Sequence, residues 1–291
     1  MQLIDGKATA LEIQKELRTA ISQLRGRIPR LDVILVGSFT PSVIYVTNKT
    51  RACAEVGISS QIHRLPDDIT QEELLQKIKA LNNNPDVDGI LVQFPLPRHI
   101  DPNLIMETIA PSKDVDGFNP INRGKLFLGD EDALVPCTPL GVRELLKRYN
   151  IATEGKNVTI IGRSNIVGKP LAILLMQPNE NGNATVTVAH SKTPHLEKVC
   201  AQADILIAAI GQPLMIGPSM VKEGAVVIDV GMNAAGEAEE GKKRRVVGDV
   251  DFHAVKDKCS WITPVPGGVG PMTIAMLLSN TFKAYLKREI E

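Results

Sequence analysis

Short apolar runs rich in β-branched residues alternate along this sequence with longer segments of helical periodicity. The runs are apolar throughout rather than at every second position, which is typical of parallel strands with both faces buried. Such strands alternating with helices predict an α/β fold. The runs cover residues 31–37, 89–95, 157–162, 184–189, 204–211 and 225–231.

A segment dense in glycine, proline and aspartate spans residues 111–141, and a new helix is predicted from about Thr138. We place the domain change there, which predicts two α/β domains, at 1–139 and at 140–270. Residues 271–291 predict a helix with an apolar stripe. Its periodicity leaves open which domain it packs on, and we expect it to return to the first.

Composition argues against several classes of partner. Lys plus Arg and Asp plus Glu both number 33, so there is no overall basic field to attract nucleic acid or an anionic membrane. No stretch of roughly 18 uninterrupted apolar residues is present, and we expect a cytoplasmic protein. The basic run Lys242–Arg245 stands beside two glutamates and predicts a solvated turn. A small molecule is the favoured ligand.

The cysteines and histidines show no pattern of a metal or redox site. The four cysteines form no Cys-x-x-Cys motif, and the five histidines show no His-x-x-x-His spacing. We therefore predict reduced, mostly buried thiols and no bound metal.

One helix carries a tyrosine and a lysine on the same face. Thr40 is expected to cap this helix, Pro41 fits its first helical position and Gly57 marks its end. Tyr45 and Lys49 are four residues apart, which places the phenol and the ammonium one turn apart. Taken alone, the pair is also compatible with an ordinary half-exposed surface.

A predicted strand, a glycine-containing turn and a helix occur in succession at NVTIIGRSNIVGKPLAILLM. In such a context, backbone amides at the helix N-terminus approach a pyrophosphate. The turn contains Gly162, Arg163, Ser164 and Gly168, with serine where the G-x-G-x-x-G pattern has its second glycine. A tight structural turn is the alternative interpretation.

The end of the next strand favours NADP over NAD. It reads His190, Ser191 and Lys192, where an NAD enzyme usually has an acid for the ribose hydroxyls. With Arg163, these donors suit a 2′-phosphate. Gly211 and Gly231 follow later strands and are candidates for the nicotinamide half, although glycines there are also routine turn formers.

Several motifs together resemble those of the bifunctional methylenetetrahydrofolate dehydrogenase/methenyltetrahydrofolate cyclohydrolase family. They occur in the family's order and span most of the chain. One departure is Asn119, where many relatives have histidine. The motifs are SVIYVTNK, LVQFPLP, KDVDGFNP, PCTPLG, IIGRSNIVGKP, HSKT, GDVDF and TPVPGGVGPMTIAML.

The resemblance implies roles for residues in both predicted domains. Lys49 matches the catalytic lysine, Tyr45 its partner, Gln93 the active-site glutamine and Asp116 the pterin-binding aspartate. Ser191 is implied beside the adenosine phosphate. The loop from Pro264 to Thr273 resembles the segment that closes the folate cleft. Its substrate-binding candidates are Pro264, Gly267 and Gly268, and its cofactor-binding candidate is Thr273.

The implied architecture is a folate-binding catalytic domain and a Rossmann-type NADP domain, with a cleft between them. The implied activity is oxidation of 5,10-methylenetetrahydrofolate followed by hydrolysis to 10-formyltetrahydrofolate, in a homodimer. An amino-acid or shikimate-type dehydrogenase and a cofactor-binding scaffold without turnover are the alternatives. Folate binding through Asp116 distinguishes the implied enzyme from the first alternative, and catalytic turnover distinguishes it from the second.

Overall fold

The computed structural model describes residues 1–235 and 245–290 and divides into two compact units. We name each unit by its larger sheet. The three-stranded unit comprises Leu11–Cys137 and Ile274–Glu291, and the six-stranded unit comprises Met1–Ala10 and Thr138–Thr273. Of the predicted basic turn, Lys242–Arg244 lie outside the described residues.

Both larger sheets are parallel, which confirms the predicted α/β class. The strands are β1 (Gln2–Leu3), β2 (Arg30–Val36), β3 (Ser59–Leu65), β4 (Gly89–Val92), β5 (Asn157–Ile161), β6 (Thr185–Ala189), β7 (Ile205–Ala208), β8 (Val226–Asp229), β9 (Asn233–Ala235), β10 (Arg245–Val247) and β11 (Trp261–Ile262). Their order is β3-β2-β4 in one sheet and β1-β11-β8-β7-β5-β6 in the other, while β9 and β10 form an antiparallel pair.

The helices follow the strands in the alternation that the sequence predicts. They are α1 (Gly6–Ser22), α2 (Thr40–Val56), α3 (Gln71–Asn83), α4 (Pro102–Thr108), α5 (Pro120–Leu128), α6 (Cys137–Arg148), α7 (Gly168–Met176), α8 (Leu196–Cys200), α9 (Phe252–Val255) and α10 (Val269–Ile290). The points that divide the two units fall within α1 and α10 and after the first residue of α6.

In the three-stranded unit, the central strand β2 supplies the core. Its residues Ile34 and Val36 are buried against Leu74 and Ile78 of α3. The neighbouring strand β3 was not predicted from the sequence. Its residues SSQIHRL are mostly polar because β3 is an edge strand and is largely accessible to solvent.

In the six-stranded unit, the central strands β7 and β8 are buried along their whole length. The prediction that every run is buried on both faces is wrong for β6, because β6 is the last strand of the sheet and exposes Thr185 and Thr187. At the opposite edge, β1 pairs with β11, which places Met1–Ala10 in this unit. The four cysteines are buried and free, as predicted.

A buried lysine closes the C-terminal end of α3. Lys113 is 4% exposed, and its ammonium donates to the carbonyl oxygens of Leu81 at 3.0 Å, Asn82 at 2.7 Å and Asn84 at 2.7 Å. Carbonyls at the end of a helix otherwise lack intrahelical partners. Burial lowers the pKa of Lys113 to about 8.

We expect Lys113→Met to lower the free energy of unfolding by about 2–4 kcal/mol, because it leaves these acceptors unpaired. Urea unfolding near neutral pH measures the loss. Between about 8 and the ordinary value of 10.5, the unfolded chain binds more protons at Lys113 than the folded chain does, so the stability of the unmutated protein rises with pH. The difference in the free energy of unfolding between the unmutated protein and Lys113→Met should therefore increase as the pH rises through this window.

The matched control is Lys79→Met, which changes an exposed lysine on the same helix. It should alter the free energy of unfolding by less than about 0.5 kcal/mol. An equal loss in both variants would contradict a specific role of Lys113 at the helix end.

Candidate active site and cofactor site

The helix that carries Tyr45 and Lys49 has the predicted extent but a different start. Thr40 is already helical and the residue before it, Phe39, makes no side-chain cap, so the predicted Thr40 cap is wrong. A residue with helical backbone cannot take the extended conformation that an N-cap needs. Pro41 is therefore the second helical residue rather than the predicted first, and Gly57 ends the helix in a left-handed conformation at φ 89°, as predicted.

The ammonium of Lys49 contacts the predicted glutamine. Its Nζ donates to Oε1 of Gln93 at 3.1 Å. The Gln93 amide is oriented, because Nε2 donates to the carbonyl of Phe94 at 2.6 Å and the backbone N–H of Gln93 donates to Ile34 at 2.9 Å. Tyr45 is 39% exposed on the same helix, and partial burial raises the pKa of its phenol.

A tightly built turn carries Asp116. The Asp114 carboxylate accepts from the backbone N–H groups of Phe118 at 3.1 Å and Asn119 at 2.8 Å, which closes the turn around Asp116. Gly117 has φ 72°, and an added Cβ would lie 2.5 Å from the backbone nitrogen of Pro136. Asn119, the departure from many relatives, has a local role because its side chain accepts from Ile121 N–H and caps α5.

Asp116 lies within electrostatic reach of Lys49. Burial raises the pKa of the Asp116 carboxyl, and the positive charge of Lys49 opposes that rise. The thiol of Cys137 lies 4.0 Å from Asp116 Oδ1 and donates to the Val115 carbonyl at 3.3 Å. Burial raises the pKa of Cys137 well above its ordinary value, so this thiol is neutral. Sequence reasoning did not single out Cys137, although it lies in the PCTPLG motif.

The glycine-containing turn between β5 and α7 has no room for side chains at two positions. A Cβ on Gly168 would lie 2.1 Å from the carbonyl oxygen of Gly162, and Gly162 itself has φ 126°. The hydroxyl of Ser164 accepts from the N–H groups of Val167 at 3.2 Å and Gly168 at 3.4 Å. Serine therefore braces this turn where the common pattern has a glycine.

This turn lies at the topological switch point of the six-stranded sheet. From β5 the chain goes to β6 on one side and then to β7 on the other, and dinucleotides bind where strand order reverses in this way. A Cβ on Gly162 would lie 2.2 Å from the carbonyl oxygen of Ala209, the residue that follows β7. The two strand ends thus approach closely at the backbone.

Cationic and hydroxyl donors follow the carboxyl ends of β5 and β6. Ile161 of β5 and Ala189 of β6 are in register, so Arg163 and Ser191 follow neighbouring strand ends. Both side chains are exposed, as is that of Lys192. This donor set, together with the glycine cradle, fits a dinucleotide with a phosphate on its adenosine ribose.

Gly211 and Gly231 occupy neighbouring strand ends. Gly211 follows β7 with φ 71°, and Gly231 follows β8, where an added Cβ would lie 2.4 Å from Asp249. The backbone N–H of Gly211 donates to Asp249, and that of Gly231 donates to Asp229. Neither aspartate was singled out from the sequence, although GDVDF contains Asp249.

The loop before α10 holds the remaining candidates. Gly267 has φ 109° and its carbonyl accepts from Lys7 N–H at 2.9 Å, while a Cβ on Gly268 would lie 2.5 Å from the Pro264 carbonyl oxygen. The hydroxyls of Thr273 and Thr138 are 3.0 Å apart. Helix α10 begins at Val269, two residues before the predicted start.

The structure thus groups the candidates in two sets. Tyr45, Lys49, Gln93 and Asp116 belong to the three-stranded unit, and the glycine-turn residues and the loop 264–268 belong to the six-stranded unit. Among residues 1–235 and 245–290, no three or more His, Cys, Asp or Glu side chains are arranged to hold a metal ion. No helix within this described part is long and apolar enough to span a membrane.

Two family models match the chain, and close relatives cover nearly all of it. Residues 4–116 match the tetrahydrofolate dehydrogenase/cyclohydrolase catalytic domain, and residues 136–289 match the NAD(P)-binding domain of the same family. The bifunctional protein FolD of Protochlamydia amoebophila is 53% identical over 287 residues, which is 99% of this chain and 98% of the relative. That of Campylobacter concisus is 53% identical over 286 residues, with 98% and 97% covered.

Solved structures agree with this similarity. The bifunctional enzyme FolD from Campylobacter jejuni superposes with a TM-score of 0.93 at 52% identity, covering 99% of each chain. The Trypanosoma brucei dehydrogenase-cyclohydrolase, solved with NADP cofactor and inhibitor, has a TM-score of 0.92 at 40% identity, covering 99% of this chain and 98% of that one. This chain therefore belongs to the tetrahydrofolate dehydrogenase/cyclohydrolase family.

Proposed function

We propose that this protein oxidises 5,10-methylenetetrahydrofolate to the 5,10-methenyl compound with NADP and hydrolyses that product to 10-formyltetrahydrofolate. These reactions belong to one-carbon metabolism. The observation that carries the proposal is the grouping of Lys49, Gln93 and Asp116 in a chain whose family is dehydrogenase and cyclohydrolase. Membership of this family argues against the shikimate-type alternative.

Lys49 is proposed to move the protons of the hydrolysis. Water adds to the methenyl carbon, and the neutral form of the Lys49 amine takes a proton from that water. A C–O bond forms and gives a neutral carbinolamine. This intermediate then collapses: its hydroxyl proton leaves to solvent, the C=O bond forms, the ring C–N bond breaks, and the Lys49 ammonium returns its proton to the departing ring nitrogen, so that one proton is released overall. The carbonyl oxygen of Gln93, 3.1 Å from Nζ, keeps the amine oriented during this transfer.

Asp116 and Tyr45 are proposed to bind the folate. An ionised Asp116 can accept two hydrogen bonds from the amino and ring N–H groups of a pterin, which positions the ring. The positive charge of Lys49 favours that ionised form against burial. Pro264, Gly267 and Gly268 are proposed as further substrate contacts, because their tight loop presents backbone rather than bulky side chains.

The chain's own residues fit NADP. We propose that backbone amides of the Gly162–Gly168 turn other than those of Val167 and Gly168, which donate to Ser164, bind the pyrophosphate, and that Arg163 and Ser191, which follow neighbouring strand ends, bind the 2′-phosphate. Three further residues are proposed to contact the nicotinamide half of NADP: Gly211, Gly231 and Thr273. When bound, NADP accepts the hydride, and the protein's contribution to that step is alignment of the reactants.

The predicted domains are proposed as 1–139 with helix 271–291 for folate and 140–270 for NADP. The grouping of Ile274–Glu291 with the three-stranded unit supports this division. Residues 1–10 are the exception: β1 pairs with β11, so we propose that they belong to the NADP domain and not to the folate domain. A shared cleft, a homodimer and a cytoplasmic location remain predictions from the sequence.

A coupled assay tests the proposed function. Purified protein is incubated with NADP and 5,10-methylenetetrahydrofolate, and reduced cofactor, methenyl and formyl products are quantified in quenched samples. Formyl product that grows faster than uncatalysed hydrolysis of methenyltetrahydrofolate would support both activities. Binding of NADP and folate with no reduced cofactor would instead support a scaffold without turnover.

Cofactor preference gives a second test. We expect Arg163→Ala to raise the KM for NADP by about thirtyfold or more and the KM for NAD by less than about threefold, because only NADP carries the phosphate. Steady-state kinetics with both cofactors measure this. The control is Lys198→Ala, an exposed lysine of α8 in the same unit, which should leave both values unchanged. Equal weakening of NADP and NAD by Arg163→Ala would contradict the assignment.

A further inference from the structure

A fully buried aspartate gathers the backbone that follows β7. Asp249 is 0% exposed and its carboxylate accepts four hydrogen bonds, so its acceptor sites are filled. The donors are Ile210 N–H at 2.7 Å and Gly211 N–H at 3.0 Å on Oδ2, and Gln212 N–H at 2.9 Å and Asn233 Nδ2 at 2.9 Å on Oδ1. Three successive amides converging on one carboxylate define the conformation of that segment.

Asp249 is itself held in place. Its backbone N–H donates to Oδ1 of Asp229 at 3.0 Å, and the next N–H, of Val250, donates to Oδ2 at 2.9 Å. A Cβ on Gly248 would lie 1.8 Å from that carboxylate, so the turn packs directly against Asp229. Because Asp229 is the last residue of β8, these hydrogen bonds fix the position of Asp249 relative to the six-stranded sheet.

The segment that Asp249 holds lies beside the switch point. Ile210–Gln212 directly follow Ala209, whose carbonyl leaves no room for a Cβ on Gly162. The proposed adenosine phosphate site follows β5 and β6, and β7 lies on the opposite side of β5. A dinucleotide with its pyrophosphate at the glycine turn therefore extends its other half over the end of β7.

We infer that Asp249 is a positioning residue for the nicotinamide half of the cofactor, acting through Ile210–Gln212. The inference rests on the proposed use of NADP and assigns Asp249 no contact with the cofactor. A purely structural aspartate would affect the whole unit, whereas this role predicts an effect confined to one half of the dinucleotide.

Comparing two ligands tests this distinction. Adenosine 2′,5′-bisphosphate carries the adenosine and its 2′-phosphate but no nicotinamide. Asp249→Asn keeps the side-chain size but replaces one acceptor oxygen with an NH2 group facing amide donors. By calorimetry, we expect the Kd for NADP to rise about tenfold or more and that for the bisphosphate to change less than about twofold. Arg163→Ala should weaken both ligands.

Equal weakening of both ligands by Asp249→Asn, or no weakening of either, would overturn the inference. If that variant does not fold, Asn233→Ala removes a single donor to Asp249 and should weaken NADP about two- to fivefold with the bisphosphate unchanged. A folded Asn233→Ala protein with unaltered NADP affinity would then overturn it. Failure of the unmutated protein to bind NADP would instead contradict the proposed function, which separates the two.

Discussion

Lys49→Met is expected to lower the cyclohydrolase kcat by about a thousandfold while a substantial part of the dehydrogenase activity remains. Hydrolysis of the methenyl compound needs a group that moves protons, and positioned acid–base groups contribute about a hundred- to ten-thousandfold. Hydride transfer needs alignment rather than proton transfer at Lys49. Loss of methenyltetrahydrofolate absorbance and formation of NADPH measure the two activities separately.

A second substitution at the same position separates charge from proton transfer. Lys49→Arg keeps the positive charge and the ability to donate to Gln93, but a guanidinium stays protonated and cannot act as a neutral base. It should therefore lose the cyclohydrolase activity as completely as Lys49→Met. The control on the same helix is Arg51→Met, whose side chain is 71% exposed and which should leave both activities unchanged. Equal loss of both activities in Lys49→Met would mean that Lys49 mainly binds substrate.

Gly168→Ala is expected to weaken NADP binding by about a hundredfold and to destabilise the protein by about 1–3 kcal/mol. Helix propensity alone predicts the opposite sign, because alanine stabilises a helix by about 1 kcal/mol relative to glycine. The added Cβ would lie 2.1 Å from the carbonyl oxygen of Gly162, and the atoms nearest to it all belong to the backbone, which cannot swing aside as a flexible side chain can. The turn must open to relieve this contact, which moves the amides proposed to face the pyrophosphate.

The matched control is Gly217→Ala in the same unit, where an added Cβ meets nothing within 4 Å. Thermal unfolding and NADP titration of both variants measure the contrast, and Gly217→Ala should stay within about 0.5 kcal/mol of the unmutated protein. A Gly168→Ala protein that binds NADP normally and is more stable would show that the turn relaxes at little cost.

Each strand run predicted from the sequence corresponds to a strand. For all of them except β6, the reason is that a strand buried on both faces leaves a continuous apolar signal, whereas β6 is rich in β-branched residues although it is an exposed edge strand. The strands that were missed lack that signal. Strand β3 is a mostly polar edge strand, and β1 and β11 have two residues each and exist only because they pair with distant partners. Two residues carry too little periodicity to be recognised.

Among the site residues too, local patterns identified individual side chains but not the contacts between them. Spacing on one helix placed Tyr45 and Lys49 on a common face, and motif resemblance supplied Gln93 and Asp116. The contact between Lys49 and Gln93 joins residues 44 positions apart, and no local pattern predicts that distance. The convergence of Ile210–Gln212 on Asp249 is likewise non-local, because it needs the ends of β7, β8 and β10 to meet.

Local sequence therefore determined the α/β class, the helix bearing the lysine and the glycine turn, since periodicity and missing side chains act within a few residues. Tertiary structure alone decided which side chains meet. It placed Cys137 beside Asp116, closed the end of α3 with Lys113 and assigned Met1–Ala10 to the six-stranded unit. Those contacts depend on how sheets and helices pack, and packing is a property of the whole chain rather than of any segment.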